Sequence, residues 1–174
     1  MTYELPASRG PLRDLMVQAG YILGFSVQAL VGAVVATVTG IVDGEPRGPV
    51  VATHGDLYEA NLFVADGGVS GIIDVDAVGP GHAVDDLACL LAHLAVLPTL
   101  APGAYPRVPA VLAEWQRAFE ETVDPADLRA RTAAVLLSLV SGATTDQALV
   151  RLGLAERYAA AARVVSLKEK KGEH

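Results

Sequence analysis

Apolar positions run from Leu15 to Val42 with no charged residue among them. Small residues recur at Gly20, Gly24, Gly32, Ala36 and Gly40, while Gln18, Ser26, Gln28, Thr37 and Thr39 interrupt the run. A stretch of this length could cross a bilayer, its small residues lining a helix–helix contact. The polar interruptions favour the other reading, a fully buried helix of a soluble domain. Pro11 can occupy a first helical turn, so the pattern predicts a helix from Pro11 to about Val42.

Asp43 to Pro49 is dense in turn residues and reads as a loop. Val50-Val51-Ala52 is a short extended lead-in to the segment that starts at His54. Leu62-Phe63-Val64 and Val69 to Val75 read as two short strands joined by Asp66-Gly67-Gly68, and Gly79-Pro80-Gly81 breaks the chain again. Leu87, Leu90, Leu91 and Leu94 then recur at helical spacing over Asp85 to Leu97. After a Pro-rich linker, Pro98 to Pro109, a helix over Ala110–Thr122 carries Trp115 and Phe119 four apart. Asp124-Pro125 starts another, with Asp as cap and Pro at the first position, reaching about Ser141. A last helix spans Asp146 to Lys168 and frays beyond it. No internal repeat or linker divides the chain. The order predicts a single domain over residues 1–174, mainly α with a small β element at its edge.

Composition sharpens this picture. At 52 % hydrophobic residues, 19 % charged and mean hydropathy +0.38, the 174-residue chain is too apolar to be disordered. Such a chain is expected to expose apolar surface that another lobe would cover. A net charge of −7 argues against nucleic acid, whose phosphates demand basic patches. One cysteine, Cys89, excludes an internal disulfide framework and suits a reducing cytoplasm. Its apolar neighbours make it a core filler. Residues 1–13 are too polar for a signal peptide.

The candidate chemistry lies in His54-Gly55-Asp56-Leu57-Tyr58-Glu59-Ala60-Asn61 and in Gly71-Ile72-Ile73-Asp74, which ends thirteen residues beyond Asn61. Any one of these acids and amides, taken alone, is most often a turn former or cap. Together they resemble the catalytic loop and metal-binding strand of the aminoglycoside phosphotransferase family, which is protein-kinase-like and related to choline and homoserine kinases. The resemblance implies that Asp56 is the catalytic base orienting a substrate hydroxyl. It implies that Asn61 and Asp74 hold Mg²⁺ against the phosphates of ATP or another nucleoside triphosphate, as suits a hard ion. His54 would brace the loop.

Downstream, Gly81 and Asp86-Leu87-Ala88 resemble the family's Gly-x-x-x-x-Asp-Leu-Ala signature, without the Gly-Asp-Pro that many members carry. There Asp86 would brace the catalytic loop, although Asp85 or Asp86 could equally cap a helix. Asp76 should share a side with Asp74 on an extended strand, as an auxiliary contact or a solvated acid. Arg9 and Arg13 precede the apolar run, so a membrane topology would put the loop outside, away from ATP and Mg²⁺. A cytoplasmic location follows instead.

A second motif overlaps the first. Asp74-Val75-Asp76 after an apolar strand also resembles the opening motif of haloacid-dehalogenase-type phosphatases, with Asp74 as nucleophile and Asp76 as acid–base. That fold needs alternating strands and helices afterwards, and the sequence offers almost only helices.

The resemblance covers residues 12–168 and only the C-terminal lobe of a protein-kinase-like α+β fold, the N-terminal β-lobe being absent. No lysine precedes Lys168, and no Gly-rich phosphate loop precedes His54. The expected activity is transfer of a γ-phosphate to a hydroxyl of a small, possibly cationic substrate such as an aminoglycoside. It would require the missing lobe; the apolar face of this chain that would meet that lobe could otherwise self-associate. The alternative is a non-catalytic binding module derived from a kinase lobe. Acids that could select a substrate lie at Glu114, Glu120, Glu121, Asp124 and Asp127.

Overall fold

The computed structural model describes residues 27–44, 48–101 and 103–172. The first half of the long helix expected from Pro11 lies outside the described residues; its described part, α1, spans Val27–Val42. Four strands follow: β1 (Val50–Thr53), β2 (Leu62–Ala65), β3 (Gly68–Ile72) and β4 (Gly79–His82). Helices α2 (Ala83–Leu100), α3 (Val108–Glu120), α4 (Pro125–Ser138) and α5 (Thr145–Lys170) complete a mainly helical domain.

The strands form two separate antiparallel pairs, β1 with β4 and β2 with β3. In the second pair Ala65 faces Gly68, which leaves Asp66-Gly67 as a two-residue turn with positive φ at both positions. That is the turn whose twist matches a hairpin, and Asp-Gly suits it. The expected strand to Val75 stops at Ile72, because Asp74 turns left-handed and Val75–Ala77 closes a 3-10 turn. Gly79-Pro80-Gly81, expected to break the chain, is instead most of β4. Proline is tolerated in a two-stranded edge, where it need not donate to a neighbour.

The helix ends follow their caps. Asp124 Oδ1 accepts the Asp127 N–H at 2.7 Å, and Thr144 with Gln147 forms a reciprocal capping box on α5. Helix α2 runs on to Leu100 and so includes Pro98, which was expected to open a linker. Pro98 lies in the last turn, where only one intrahelical bond is lost. The Thr99 hydroxyl donates to Val96 O at 2.7 Å and helps close that end.

The core is built largely from alanine. Val34, Ala92, Ala95, Val96, Ala133, Leu136, Ala155 and Ala159 join α1, α2, α4 and α5. A second cluster, Ile41, Ala126, Ala130 and Ala162, ties α1 to α4 and α5. Val84, Ala88, Leu91 and Leu128 close the end of the bundle beside the strands. Leu128 is fully buried there. Leu128→Ala is expected to cost about 2–5 kcal/mol, as the lost transfer energy plus a cavity. Urea unfolding would read this as a lower midpoint at unchanged slope.

Ions also tie α2 to α4. Arg131 meets Asp127 at 2.8 Å and Asp85 at 2.5 Å. Burial pushes the Asp127 carboxyl above its ordinary range, and the Arg131 charge opposes that shift.

One expectation about burial fails. Helix α1 was expected to be fully buried, yet only Val34 and Ile41 are, while Val27, Val31 and Val35 face outward. Residues of β2 and β3 are also mostly exposed, with Phe63, Val64, Val69 and Ile72 all about half open or more. These faces of α1 and of the hairpin are open to solvent. Hydrophobic content alone did not reveal which face is covered. By length and composition, α2 is the described helix apolar enough to cross a membrane. In the fold, 44 % of it is buried, much of it in the cores shared with α4.

Candidate active site

Pairing of β1 with β4 brings the residues after Thr53 against the start of α2. Thr53 faces Gly79 in register, and its hydroxyl donates to Gly79 O at 3.1 Å. Gly81 must lack a side chain here, since a Cβ would lie 2.4 Å from Thr53 Oγ1. The chain then enters α2 and presents Asp86 in its first turn.

The Asp86 carboxylate takes both loop amides at once. His54 N–H donates to Oδ2 at 2.7 Å and Gly55 N–H to Oδ1 at 2.9 Å. Each is a charge-assisted bond, stronger than a neutral one. Asp86 is therefore not a helix cap; the cap position falls on His82, which makes no side-chain cap bond. Asp85 is engaged by Arg131 instead.

His54 is buried and its ring links two segments. A backbone carbonyl only accepts, so the 2.9 Å contact of Nε2 with Ile73 O places the ring proton on Nε2. Nδ1 is then the acceptor of the Asp56 N–H, at 3.4 Å. Gly55 between them has φ +84°, and a Cβ there would lie 2.8 Å from Ala77 O. Only glycine meets both conditions.

Asn61 is buried and closes the loop. Its Nδ2 donates to Asp56 O at 3.0 Å, and its own carbonyl accepts Ile73 N–H at 3.1 Å. Two bonds thus bind the loop to the residue before Asp74: one from the His54 ring, one to the Asn61 backbone. Asp74 itself is exposed, with φ 58° and ψ 50°. For a residue with a Cβ this conformation costs about 1–2 kcal/mol, less for Asp and Asn. Strain of this kind collects at functional sites. Asp74→Gly is accordingly expected to leave thermal stability unchanged or raise it by up to about 1 kcal/mol. A clear loss of stability would show that the Asp74 side chain holds the turn.

Asp76 lies in the 3-10 turn Val75–Ala77, not on an extended strand. Strand alternation therefore does not put it beside Asp74, and the shared-side expectation is corrected. It is exposed.

Asp56 projects from the loop toward α2. Cys89 Sγ donates to Asp56 Oδ1 at 3.8 Å, so Cys89 is half-buried at the site and not simply core filler. Its thiol is pushed up to about 12, by burial first and then by the charges of Asp56, Asp86 and Glu59. One turn along α2, His93 stacks on Tyr58 with ring centroids 4.6 Å apart. Ligand atoms of Asp56, Cys89 and His93 all lie within 4.8 Å of one another. Sequence reasoning missed His93 and Tyr58. The spacing of Cys89 and His93, four apart on a helix, was the available signal.

Residues 9–135 match the phosphotransferase enzyme family (APH), well over half of the chain. The chain belongs to that family. The matched span contains the His54–Asn61 loop, Asp74 and Asp86. Membership brings kinase-like, nucleotide-dependent phosphotransfer as the activity class, and a small molecule as its acceptor. No curated protein and no solved structure gives a significant match. The four strands of the chain all precede α2 among the described residues, so the alternation that the phosphatase motif needs is not found there.

Proposed function

We propose that residues 12–168, within one domain over 1–174, are the C-terminal lobe of a cytoplasmic, ATP-dependent small-molecule kinase. The acceptor is a hydroxyl on a small substrate. The observation that supports this most is the double clamp of Asp86 on the His54 and Gly55 amides. Together with Asn61 Nδ2 on Asp56 O, it presents the Asp56 carboxylate from a loop fixed at both ends. Such positioning is most of what a protein supplies to phosphoryl transfer.

In this reading Asp56 is the base. The Cys89 thiol donates to Oδ1, which leaves Oδ2 to accept the substrate hydroxyl. In the same reading Asn61 and Asp74 would hold a hard divalent ion, their oxygens being suited to it. Asn61 Oδ1 and the Asp74 carboxylate accept no hydrogen bond among the described residues, while Asn61 Nδ2 is committed to the loop. When bound there, Mg²⁺ would neutralise charge on the nucleotide phosphates. His54 and Asp86 hold the loop, and Asp76 stays a solvated or auxiliary acid.

The lysine and phosphate-covering wall of a kinase cleft must come from an N-terminal lobe, which the outward-facing apolar residues of α1 and the β2–β3 hairpin suit. Substrate choice is narrowed by pairing. Glu120 is held by Arg129 at 2.6 Å, Asp127 by Arg131, and Asp124 is a helix cap. Glu114 and Glu121 are exposed and carry no such partner among the described residues, so they are the acids this reading leaves for a cationic substrate.

The test is ATP-dependent phosphorylation of a panel of hydroxyl compounds, aminoglycosides included. The chain is assayed alone and with a nucleotide-binding lobe of the same family. Transfer only with the added lobe, and dependent on Asp56, is the expected result. Partner association that ignores Asp56→Asn, with no transfer to any compound, would instead mark a binding module.

A further inference from the structure

We propose that Asp56, Cys89 and His93 form a binding site for a thiophilic divalent cation, Zn²⁺ or its analogues, separate in its donor set from Asn61 and Asp74. The three donors are a carboxylate, a thiol and an imidazole, with ligand atoms within 4.8 Å of one another. Tetrahedral zinc with bonds of about 2.0–2.3 Å holds its ligand atoms roughly 3.5 Å apart, so small rotamer adjustments close the site. Sulfur and nitrogen donors select zinc over Mg²⁺, which prefers oxygen throughout.

Three further observations point to a cation. Cys89 and His93 sit four apart on α2, the spacing that aims two side chains to one side of a helix. The His93 ring is held against Tyr58 and makes no hydrogen bond among the described residues, so its nitrogens are open to a metal. The charged groups acting on Cys89 are all acids, Asp56, Asp86 and Glu59, and the Glu59 Oε2 atom is buried without a partner. A partly exposed cluster with this much negative charge attracts a cation. Binding would release the thiol proton to water and leave a neutral carboxylate–thiolate–zinc unit with a fourth position for water.

The consequence for activity rests on the reading of Asp56 as base. Zinc on that carboxylate would block the substrate hydroxyl, making the site inhibitory.

The test is titration of the reduced wild-type chain with Co²⁺, watching for a thiolate-to-cobalt absorption band that Zn²⁺ abolishes and millimolar Mg²⁺ does not. Cys89→Ser should remove the band, and His93→Gln should weaken Co²⁺ binding at least about tenfold. Far-UV circular dichroism checks that both variants fold. In parallel, Zn²⁺ should slow alkylation of Cys89 in the wild type, a readout that needs no variant. Absence of the band, or alkylation at the same rate with and without Zn²⁺, overturns the site. If zinc binds but a phosphotransfer-competent assembly is not inhibited, the site stands and the assignment of Asp56 as base falls.

Discussion

Asp56→Asn lowers the phosphotransfer rate of an assembled enzyme by about 10²–10⁴, the range a positioned base supplies. The fold should not notice. Asp56 is exposed, and the bond that closes the loop is made by its backbone carbonyl, not its carboxylate. The amide is nearly isosteric, so the loop and the Cys89 contact keep their shape. Substrate KM should change little, because the loss concerns the hydroxyl in the transition state more than binding. A rate within threefold of wild type would remove Asp56 from the chemistry.

Asp86→Ala acts one step further back and on more than one property. It removes the acceptor of two charge-assisted hydrogen bonds, each worth about 1.5–3 kcal/mol. The His54 and Gly55 amides then have no partner, and the loop loses its tie to α2. Hydrogen exchange at these two amides should accelerate by at least about tenfold, while amides in the α4 and α5 cores keep their protection. Transfer should fall as far as for Asp56→Asn, since a misplaced base is as poor as a missing one. Asp86→Asn is no rescue, because its NH₂ would face one of the two donors. Unchanged exchange at both amides would contradict the clamp.

The helical part of the fold was legible because periodicity and caps agree. Leucines at 87, 90, 91 and 94 mark α2, and Asp124-Pro125 marks the start of α4. The β element was half legible. Asp66-Gly67 announces its hairpin, but β4 is written in glycine and proline, residues that locally say turn. What makes it a strand is the distant fit of Thr53 against Gly81. The same pairing decides the site. It brings Asp86 under the loop and turns Cys89 and His93 toward Asp56, and no local pattern encodes that approach. Asp74 shows the limit most plainly, since its left-handed backbone depends on the turn after it and not on the apolar run before it. The coverage of α1 was hard to read for a related reason: valines and alanines lie on every side of that helix, and its polar residues are few, Gln28, Thr37 and Thr39.

The alanine content of the bundle has a further consequence. Alanine loses no rotamer freedom when buried, so Ala92, Ala133, Ala155 and Ala162 pack without the entropic cost that leucine or methionine would carry. Their methyls are short enough to let neighbouring backbones come close. Enlarging any of these four by two carbons forces helices apart, at about 1–3 kcal/mol each. Change of acceptor preference in such a body is therefore least costly on its outward-facing helix sides and loops, where added volume meets solvent instead of a packed methyl.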